Sequence, residues 1–246
     1  MNNSGYQIIY ARAKTDPTIM DPFFLEEEKA MRQIGIATGI TPMDDAQHLI
    51  LRSYMITDIN KYPRDRRFIH NYEINANYLY MDRYYPYIEG LTMETFFVNE
   101  LNQSVENEIK RRGWNKAFVK GDIHALEYIE QGLSIWPDHS FEEMCSYYDK
   151  MNVTKYSIRE YYDCPTLDMD YHRYWVINDR IYRNNNVIPE IVKEAAQRLS
   201  ALGGKYYTID ATPDIIIEVN PGESSDRHGE NSAELFASWF KDAFGL

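Results

Sequence analysis

The chain has 246 residues and a formal net charge of −12, with 26 Lys and Arg against 38 Asp and Glu. This length suits one large domain or two small ones, and it allows a core to form without disulfides or a structural metal. The acidic balance argues against a protein that coats nucleic acid, because such a protein needs a concentrated basic face. The 2 cysteines favour a reduced, cytoplasmic protein, and no apolar run is long enough to suggest a membrane span.

The first half of the chain mixes strand and helix patterns. Short apolar runs predict strands near 7–10, 48–56 and 116–120. Helical spacing of apolar residues predicts helices over 23–34, 74–81, 102–112 and 141–150. Gly113 follows the third of these, where a left-handed cap is common.

In the second half of the chain, turn and capping residues mark the ends of the predicted elements more clearly. Strands are predicted over 156–162, 171–177, 180–182, 206–211 and 214–219, with Asn178-Asp179 as a hairpin turn. Pro189 opens a helix that ends at Gly203-Gly204. Asn231 with Glu234 resembles a capping box for the last helix. Mixed helices and strands with a hairpin predict an α+β fold.

Oxygen-bearing side chains on two neighbouring strands suggest a metal site. Glu218 and Asn220 are two residues apart, so on a strand they project from the same face. If the strands over 206–211 and 214–219 pair as a hairpin, Asp210 joins them. Oxygen ligands with open positions suit Mg²⁺ completed by substrate phosphates. The alternative is an ordinary edge strand with solvated Glu and Asn.

Candidate cations lie upstream of this hairpin. Lys120 ends an apolar strand, although such a lysine is often only a solvated strand end. Arg173 shares a strand face with Trp175 and Ile177, and its planar fork suits a phosphate. Arg173 would equally suit an ion pair with Glu160 or another carboxylate. The charged strand around Glu160 would, in the plainer interpretation, be a surface strand with a local ion pair.

The order of these features resembles the ATP-grasp superfamily. The ordered set is Lys120, Glu160, Arg173, Asp210 and then Glu218-x-Asn220. Within the superfamily the sequence is most similar to a clade met in bacteria and phages and named for an arginine and two lysines. The segments 51–55 and 85–90 look like N-terminal signatures of that clade, so the resemblance covers about 51–220.

The resemblance implies a fold in which two α+β subdomains sandwich ATP after a small N-terminal α/β domain that precedes the ATP-grasp unit. The corresponding division is 1–100 for the N-terminal, substrate-side domain and 101–246 for the ATP-grasp subdomains, split near 160. It also implies ATP-dependent ligation of a carboxylate to an amine or thiol through an acyl phosphate. The substrate would be an amino acid, peptide or protein. Dimers are common in the superfamily, so a homodimer is a further expectation.

The resemblance also implies roles for individual residues. Lys120 would reach the α- and β-phosphates, and the segment from Ile158 to Tyr161, including Glu160, would form the hinge against the adenine. Arg173 would steady the transferred phosphate and the acyl phosphate. One or two Mg²⁺ would be held by three residues, Asp210, Glu218 and Asn220. Arg52, a cation in a β-prone segment, is a candidate for receiving a substrate carboxylate.

One departure from the family pattern leaves a second interpretation open. A second lysine often follows the strand lysine, but this chain has Asp122 and His124 there, and it has no Gly-rich phosphate loop. Histidine is neutral for much of its time near pH 7, which weakens its hold on phosphate. A slow enzyme, or a degenerate copy that binds nucleotide without catalysis, is therefore an alternative to the ligase. A carboxylate-pair hydrolase is a third.

Overall fold

The computed structural model describes residues 5–121, 133–163, 171–185, 187–227 and 231–245, together with the backbone of 124–125. These residues form a mixed α+β structure with one parallel sheet and two antiparallel sheets, which confirms the predicted fold class. None of the helices in these residues is long and apolar enough to cross a membrane.

The first sheet is parallel and N-terminal. It contains β1 (Tyr6–Tyr10), β2 (Ala37–Gly39) and β3 (His48–Arg52) in the order β2-β1-β3. Helix α1 (Leu25–Gln33) connects β1 to β2. The strand predicted over 48–56 ends at Arg52 because the next backbone N–H, that of Ser53, donates to the Glu223 carbonyl (2.8 Å) instead of a sheet neighbour.

The second sheet is antiparallel and occupies the middle of the chain. It contains β4 (Thr95–Val98), β5 (Ala117–Gly121), β6 (His124–Ala125), β7 (Ile135–Trp136) and β8 (Tyr156–Glu160), in the order β4-β8-β5-β6 with β7 also on β5. Helices α4 (Gln103–Arg111) and α5 (Phe141–Tyr148) share a core with one face of this sheet. The opposite face is therefore left to face the rest of the molecule.

The third sheet is also antiparallel and holds the C-terminal strands. Its order is β10-β9-β11-β12, from β9 (His172–Ile177), β10 (Arg180–Tyr182), β11 (Tyr206–Ala211) and β12 (Ile216–Pro221). One face packs on α2 (Tyr72–Leu79), α3 (Met81–Ile88) and α6 (Glu190–Leu199). The other face, at the Trp175 end, packs on α7 (Ala233–Phe244) and the first sheet.

Local sequence signals account for most element ends. Asn178 and Asp179 have φ of 47° and 66°, which is the hairpin geometry that such residues favour. Gly113 follows the C-terminal end of α4 and Gly203 that of the turn after α6, and both have positive φ. The predicted cap of the last helix was wrong, because the Ser232 hydroxyl, one residue after Asn231, accepts from the Leu235 N–H (3.2 Å).

The N-terminal part contributes to more than one layer. Strand β4 precedes residue 100, yet it pairs with β8 in the second sheet. Helices α2 and α3 also precede residue 100 and pack on the third sheet. Among the described residues before 100, the first sheet and its helix form a layer of their own that packs on the third sheet, and the division at residue 100 stays a prediction.

Tyrosines supply much of the core, which bears on the 21 tyrosines in the sequence. Several are buried with the hydroxyl on a backbone carbonyl: Tyr78 on Leu199 (2.9 Å), Tyr148 on Val119 (2.9 Å) and Tyr207 on Ala196 (3.1 Å). A tyrosine can fill apolar space and still satisfy its polar end in this way. Tyr148 and Tyr207 therefore each join a helix to a sheet, and Tyr78 joins α2 to α6.

Candidate active site

A row of charged side chains crosses the third sheet. Arg173 is the register partner of Asp210, and Asp210 is the register partner of Glu218. Paired residues of antiparallel strands project from the same face, so the three side chains lie side by side. This confirms that β11 and β12 pair as the hairpin that the sequence analysis required. We call Arg173, Asp210 and Glu218 the charged row.

Asp210 is fully buried in the centre of the row, and its oxygens are engaged. Arg173 Nε donates to Oδ1 (2.7 Å), and Arg173 Nη2 and the Tyr171 hydroxyl donate to Oδ2 (2.6 and 2.9 Å). Arg173 Nη1 also donates to Asp226 Oδ1 (2.8 Å). Burial alone would lower the pKa of Arg173, but the Asp210 hydrogen bonds and charge outweigh it and raise that pKa. The guanidinium is therefore permanently charged and fixed in direction.

Glu218 is the more accessible carboxylate of the row. It forms an ion pair with Lys120, and Asn220 Nδ2 donates to Oε2 of Glu218 (3.0 Å). Burial would raise the pKa of Glu218, but Lys120, the bond from Asn220 and the charge of Arg173 together lower it to about 2. Burial would likewise lower the pKa of Lys120, and the charge of Glu218 raises it. Both groups are charged over the ordinary pH range.

Lys120 comes from the second sheet and reaches the third. Lys120 on β5 is the register partner of Ser157 on β8. Its side chain is on the face of the second sheet opposite to α4 and α5. The ion pair with Glu218 joins residues 98 positions apart in the chain. The second and third sheets therefore meet at this ion pair. The charged side chains of the two sheets point into the space between them.

Arg159 is a cation of this site that sequence reasoning missed. It lies on the same face as Lys120, is only 6% exposed and donates to the Ile217 carbonyl (2.8 Å) and to Thr92 Oγ1 (2.7 Å). Its Nε has no acceptor among the described residues, and burial lowers its pKa. In the sequence it stands inside the predicted hinge segment 158–161 with no role of its own, and the pairing of β8 with β5 shows which face it occupies.

The predicted adenine hinge is divided between the two faces of the second sheet. Ile158 is fully buried in the core shared with α4 and α5. Glu160 is exposed, and its N–H donates to the Glu94 carbonyl (2.9 Å). Tyr161 is half-buried, with Lys116 Nζ 5.6 Å from its ring centroid. Tyr161 is thus the hinge residue that shares a face with Lys120, and nucleotide contacts of all three stay predictions.

Arg52 lies inside the protein, with 1% of its surface exposed. Its Nε and Nη2 donate to the two oxygens of Glu27 (both 2.7 Å), and Nη1 donates to the carbonyls of Gly222 (2.8 Å) and Ser225 (2.7 Å). These contacts tie β3 and α1 to the loop that follows β12. The contact of Arg52 with a substrate carboxylate stays a prediction, and the structure shows its donors occupied by the protein.

A cavity of about 350 Å³ opens on the side of the charged row that faces the first sheet. Arg173, Glu218 and Asn220 line one side, and Phe23, Tyr54 and Met55 line the other. Asp226, which holds Arg173, also lines it. Sequence reasoning assigned no role in the site to Asp226 or Phe23, and it named Tyr54 and Met55 only as part of the 51–55 signature, because no local pattern indicates how these segments pack.

The donor set for a metal consists of two carboxylates and an amide. No group of three or more His, Cys, Asp or Glu side chains able to hold a metal is found in the described ranges. Glu218 and Asn220 are joined by one hydrogen bond, and each keeps free acceptor capacity. Asp210 has a free lone-pair position on Oδ1 but no exposed surface. Glu218 and Asn220 therefore have the chemistry of ligands for a hard cation once Lys120 leaves Glu218, whereas Asp210 is buried and held by Arg173 and Tyr171.

The positions where the family pattern has a second lysine lie partly outside the described residues. His124 pairs through its backbone with Gly121 at the end of β5. Asp122 and the side chain of His124 lie outside the described residues. Among the described residues, Arg159 is a buried cation on the same face as Lys120.

No protein-family model and no curated protein matches the sequence. Solved structures match nearly the whole chain. The macrocyclase MdnC bound with precursor peptide MdnA from Microcystis aeruginosa is 12% identical, with a TM-score of 0.60 over 96% of this chain and 99% of that one. The D-cycloserine synthetase DcsG is 13% identical, with a TM-score of 0.58 over 97% and 99%.

A third similar structure is the ATP-grasp ligase PsnB, complexed with precursor peptide PsnA2 and AMPPNP. It is 9% identical, with a TM-score of 0.58 over 99% of both chains. Likeness at such identities concerns the fold. The chain has the ATP-grasp fold, which confirms the fold that the sequence resemblance implied.

Proposed function

We propose that this protein is a Mg²⁺- and ATP-dependent ligase that joins a carboxylate to an amine through an acyl phosphate. The observation that carries the proposal is the meeting of Lys120 and Glu218 across the two antiparallel sheets. A phosphate-binding cation and a metal-binding carboxylate are the groups that phosphoryl transfer requires. Solved structures of similar fold that bind nucleotide and peptide support it.

The nucleotide would lie between the second and third sheets. Tyr161 pairs with Lys116 through its backbone N–H, and both lie on the face of Lys120. Lys116 and Lys120 are four residues apart, which is about 13 Å along a strand. That separation allows Tyr161 and the neighbouring Glu160 backbone to contact the adenine while Lys120 contacts the phosphates. Arg159 supplies a second cation on this face, in place of the lysine that the family pattern leads one to expect.

The metal would be held by Glu218 and Asn220, with Asp210 as a further ligand. Bound there, Mg²⁺ would neutralise charge on the phosphates and bring the triphosphate into an acidic protein. Glu218 is ionised at neutral pH, so it can accept a metal without losing a proton first. Binding would require Lys120 to move from Glu218 to the phosphates, which exchanges one ionic contact for another.

Arg173 would hold the transferred phosphate. A carboxylate oxygen of the substrate attacks the γ-phosphorus, the bond from the γ-phosphorus to the bridging oxygen breaks, and ADP leaves. The amine nitrogen then attacks the acyl carbon, inorganic phosphate leaves with the bonding pair, and the nitrogen loses a proton. Asp210 and Asp226 fix the direction of Arg173, so its role requires little reorganisation.

The proposal is tested by trapping the acyl phosphate. Hydroxylamine replaces the amine substrate, and hydroxamate and ADP are measured with a panel of carboxylates in the presence of Mg²⁺ and ATP. We expect hydroxamate to form with the wild type and to fall at least about a hundredfold in Glu218→Gln. Glu234→Gln is the matched control, because Glu234 is exposed on α7. Full turnover in Glu218→Gln would exclude the metal assignment.

A module that binds nucleotide without turnover is the second candidate. It is favoured by the neutralised state of the site, in which Lys120 and Arg173 are each paired with a carboxylate. Calorimetry with Mg²⁺ and a non-hydrolysable ATP analogue distinguishes the two. Binding without ADP release over the whole carboxylate panel would favour the module.

A further inference from the structure

The cavity beside the charged row adjoins the space assigned to the nucleotide, and the two share Arg173, Glu218 and Asn220. None of the described residues that line it belongs to the second sheet, which carries Lys120 and Arg159. It borders Arg173 and Glu218 from the side of the first sheet instead. A molecule in this cavity would therefore meet the charged row opposite to the nucleotide, where an attacking carboxylate has to lie.

The far wall of this cavity is unusually apolar for an accessible surface. Phe23, Tyr54 and Met55 are 59%, 44% and 43% exposed, and all three line it. The rings of Phe23 and Tyr54 have centroids 6.2 Å apart. Leaving three such side chains in water has a cost that an apolar ligand would remove. We call these three residues the aromatic wall.

The aromatic wall is fixed relative to the charged row. The Ser53 N–H donates to the Glu223 carbonyl (2.8 Å), which attaches the segment before Tyr54 to the loop after β12. The buried Arg52 holds the same loop through Gly222 and Ser225. Phe24 is buried and packs against both Phe23 and Tyr54 (5.0 and 5.8 Å). The distance between apolar wall and guanidinium is thus set by the fold.

We propose that this cavity binds the carboxylate substrate, and that the aromatic wall selects a carboxylate with an aromatic or large aliphatic side chain next to its carboxyl group. The proposal rests on the ligase function and names its substrate class. The carboxyl group meets Arg173 and the metal-binding pair of Glu218 and Asn220, while the side chain lies on Phe23 and Tyr54. A volume of about 350 Å³ suits one amino-acid side chain with its carboxyl group.

The test compares N-acetyl-L-phenylalanine with N-acetylglycine. Both are offered with Mg²⁺, ATP and hydroxylamine, and the ratio of kcat/KM for hydroxamate is measured; their binding is measured in parallel by saturation-transfer NMR, which needs no turnover. We expect the phenylalanine compound to be preferred by about 10- to 100-fold. Tyr54→Ala and Phe23→Ala should each reduce the preference by about tenfold.

Matched variants separate recognition from folding. Tyr54→Leu keeps an apolar side chain and should keep most of the preference, and Ile59→Ala, at an exposed position outside this cavity, should leave it unchanged. Equal hydroxamate formation from both compounds, or a preference that survives Tyr54→Ala and Phe23→Ala, would overturn the substrate class and leave the ligase intact. Tyr54-dependent binding of the phenylalanine compound with no hydroxamate from any carboxylate would instead overturn the ligase.

Discussion

Asp210 and Glu218 face one another across β11 and β12, yet they hold different cations. Asp210 binds Arg173 of the neighbouring strand, and Glu218 binds Lys120 of another sheet. Two carboxylates so close together would repel each other, and the cation that each of them binds offsets that repulsion. The two ion pairs thus combine residues of two sheets in one site. The pair of Arg173 and Asp210 is buried, whereas Glu218 in the other pair is partly accessible.

The first prediction concerns stability in acid. Glu218 has a pKa of about 2 in the folded protein against an ordinary value of 4.5, so the folded form binds this proton less readily than the unfolded form. Its stabilisation is complete above about pH 4.5 and is lost as the pH falls towards 2. The difference in free energy of unfolding between wild type and Glu218→Gln should therefore shrink through this window. Urea unfolding above and below it measures this, and a constant difference would contradict the assignment.

The second prediction concerns Lys120. Lys120→Met removes the ammonium that faces the space between the sheets, and we expect the Kd of Mg²⁺ with a non-hydrolysable ATP analogue to rise at least about tenfold. Lys110→Met is the control, because Lys110 is exposed on α4 at the opposite face of the second sheet. Calorimetry supplies both values. Equal affinity of the two variants would place the phosphates elsewhere.

The third prediction concerns Arg159. If this cation contacts phosphate, Arg159→Met should weaken binding of the same nucleotide about tenfold and lower the dependence of Kd on ionic strength. A purely structural arginine would lower the unfolding free energy and leave that dependence unchanged. Arg111→Met, at an exposed pair with Glu108, controls for net charge.

The fourth prediction concerns the buried pair of Arg52 and Glu27. Both side chains are at most 3% exposed, so Glu27→Gln leaves a guanidinium buried without its counter-charge. We expect the free energy of unfolding to fall by about 3–5 kcal/mol. Glu190→Gln, at an exposed pair with Lys193, should change it little. The double variant Glu27→Met with Arg52→Met should recover part of the loss. Unchanged stability in Glu27→Gln would leave Arg52 available for a substrate.

The parts of the site that depend on residues close together in the sequence could be predicted. Alternation along one strand placed Glu218 and Asn220 on one face, and Arg173 with Trp175 and Ile177 on another strand's face. The short link at Thr212-Pro213 allowed the pairing that brought Asp210 to Glu218. Arg159 and Asp226 were missed because their neighbours are distant in the chain: Arg159 contacts Thr92 and Ile217, and Asp226 contacts Arg173.

The sequence by itself determined that an acidic chain carries a small ordered set of cations and oxygen-bearing side chains on strands, since charge, spacing and periodicity of 2 are properties of the chain. Tertiary structure alone decided which of those groups are committed and which are available. Arg52 is a buried link, with 1% of its side chain exposed, whereas Lys120 pairs with the partly accessible Glu218, although both are single cations at strand ends. The physical reason is that burial and counter-charge come from residues far away in sequence, and they set whether a cation can bind anything else.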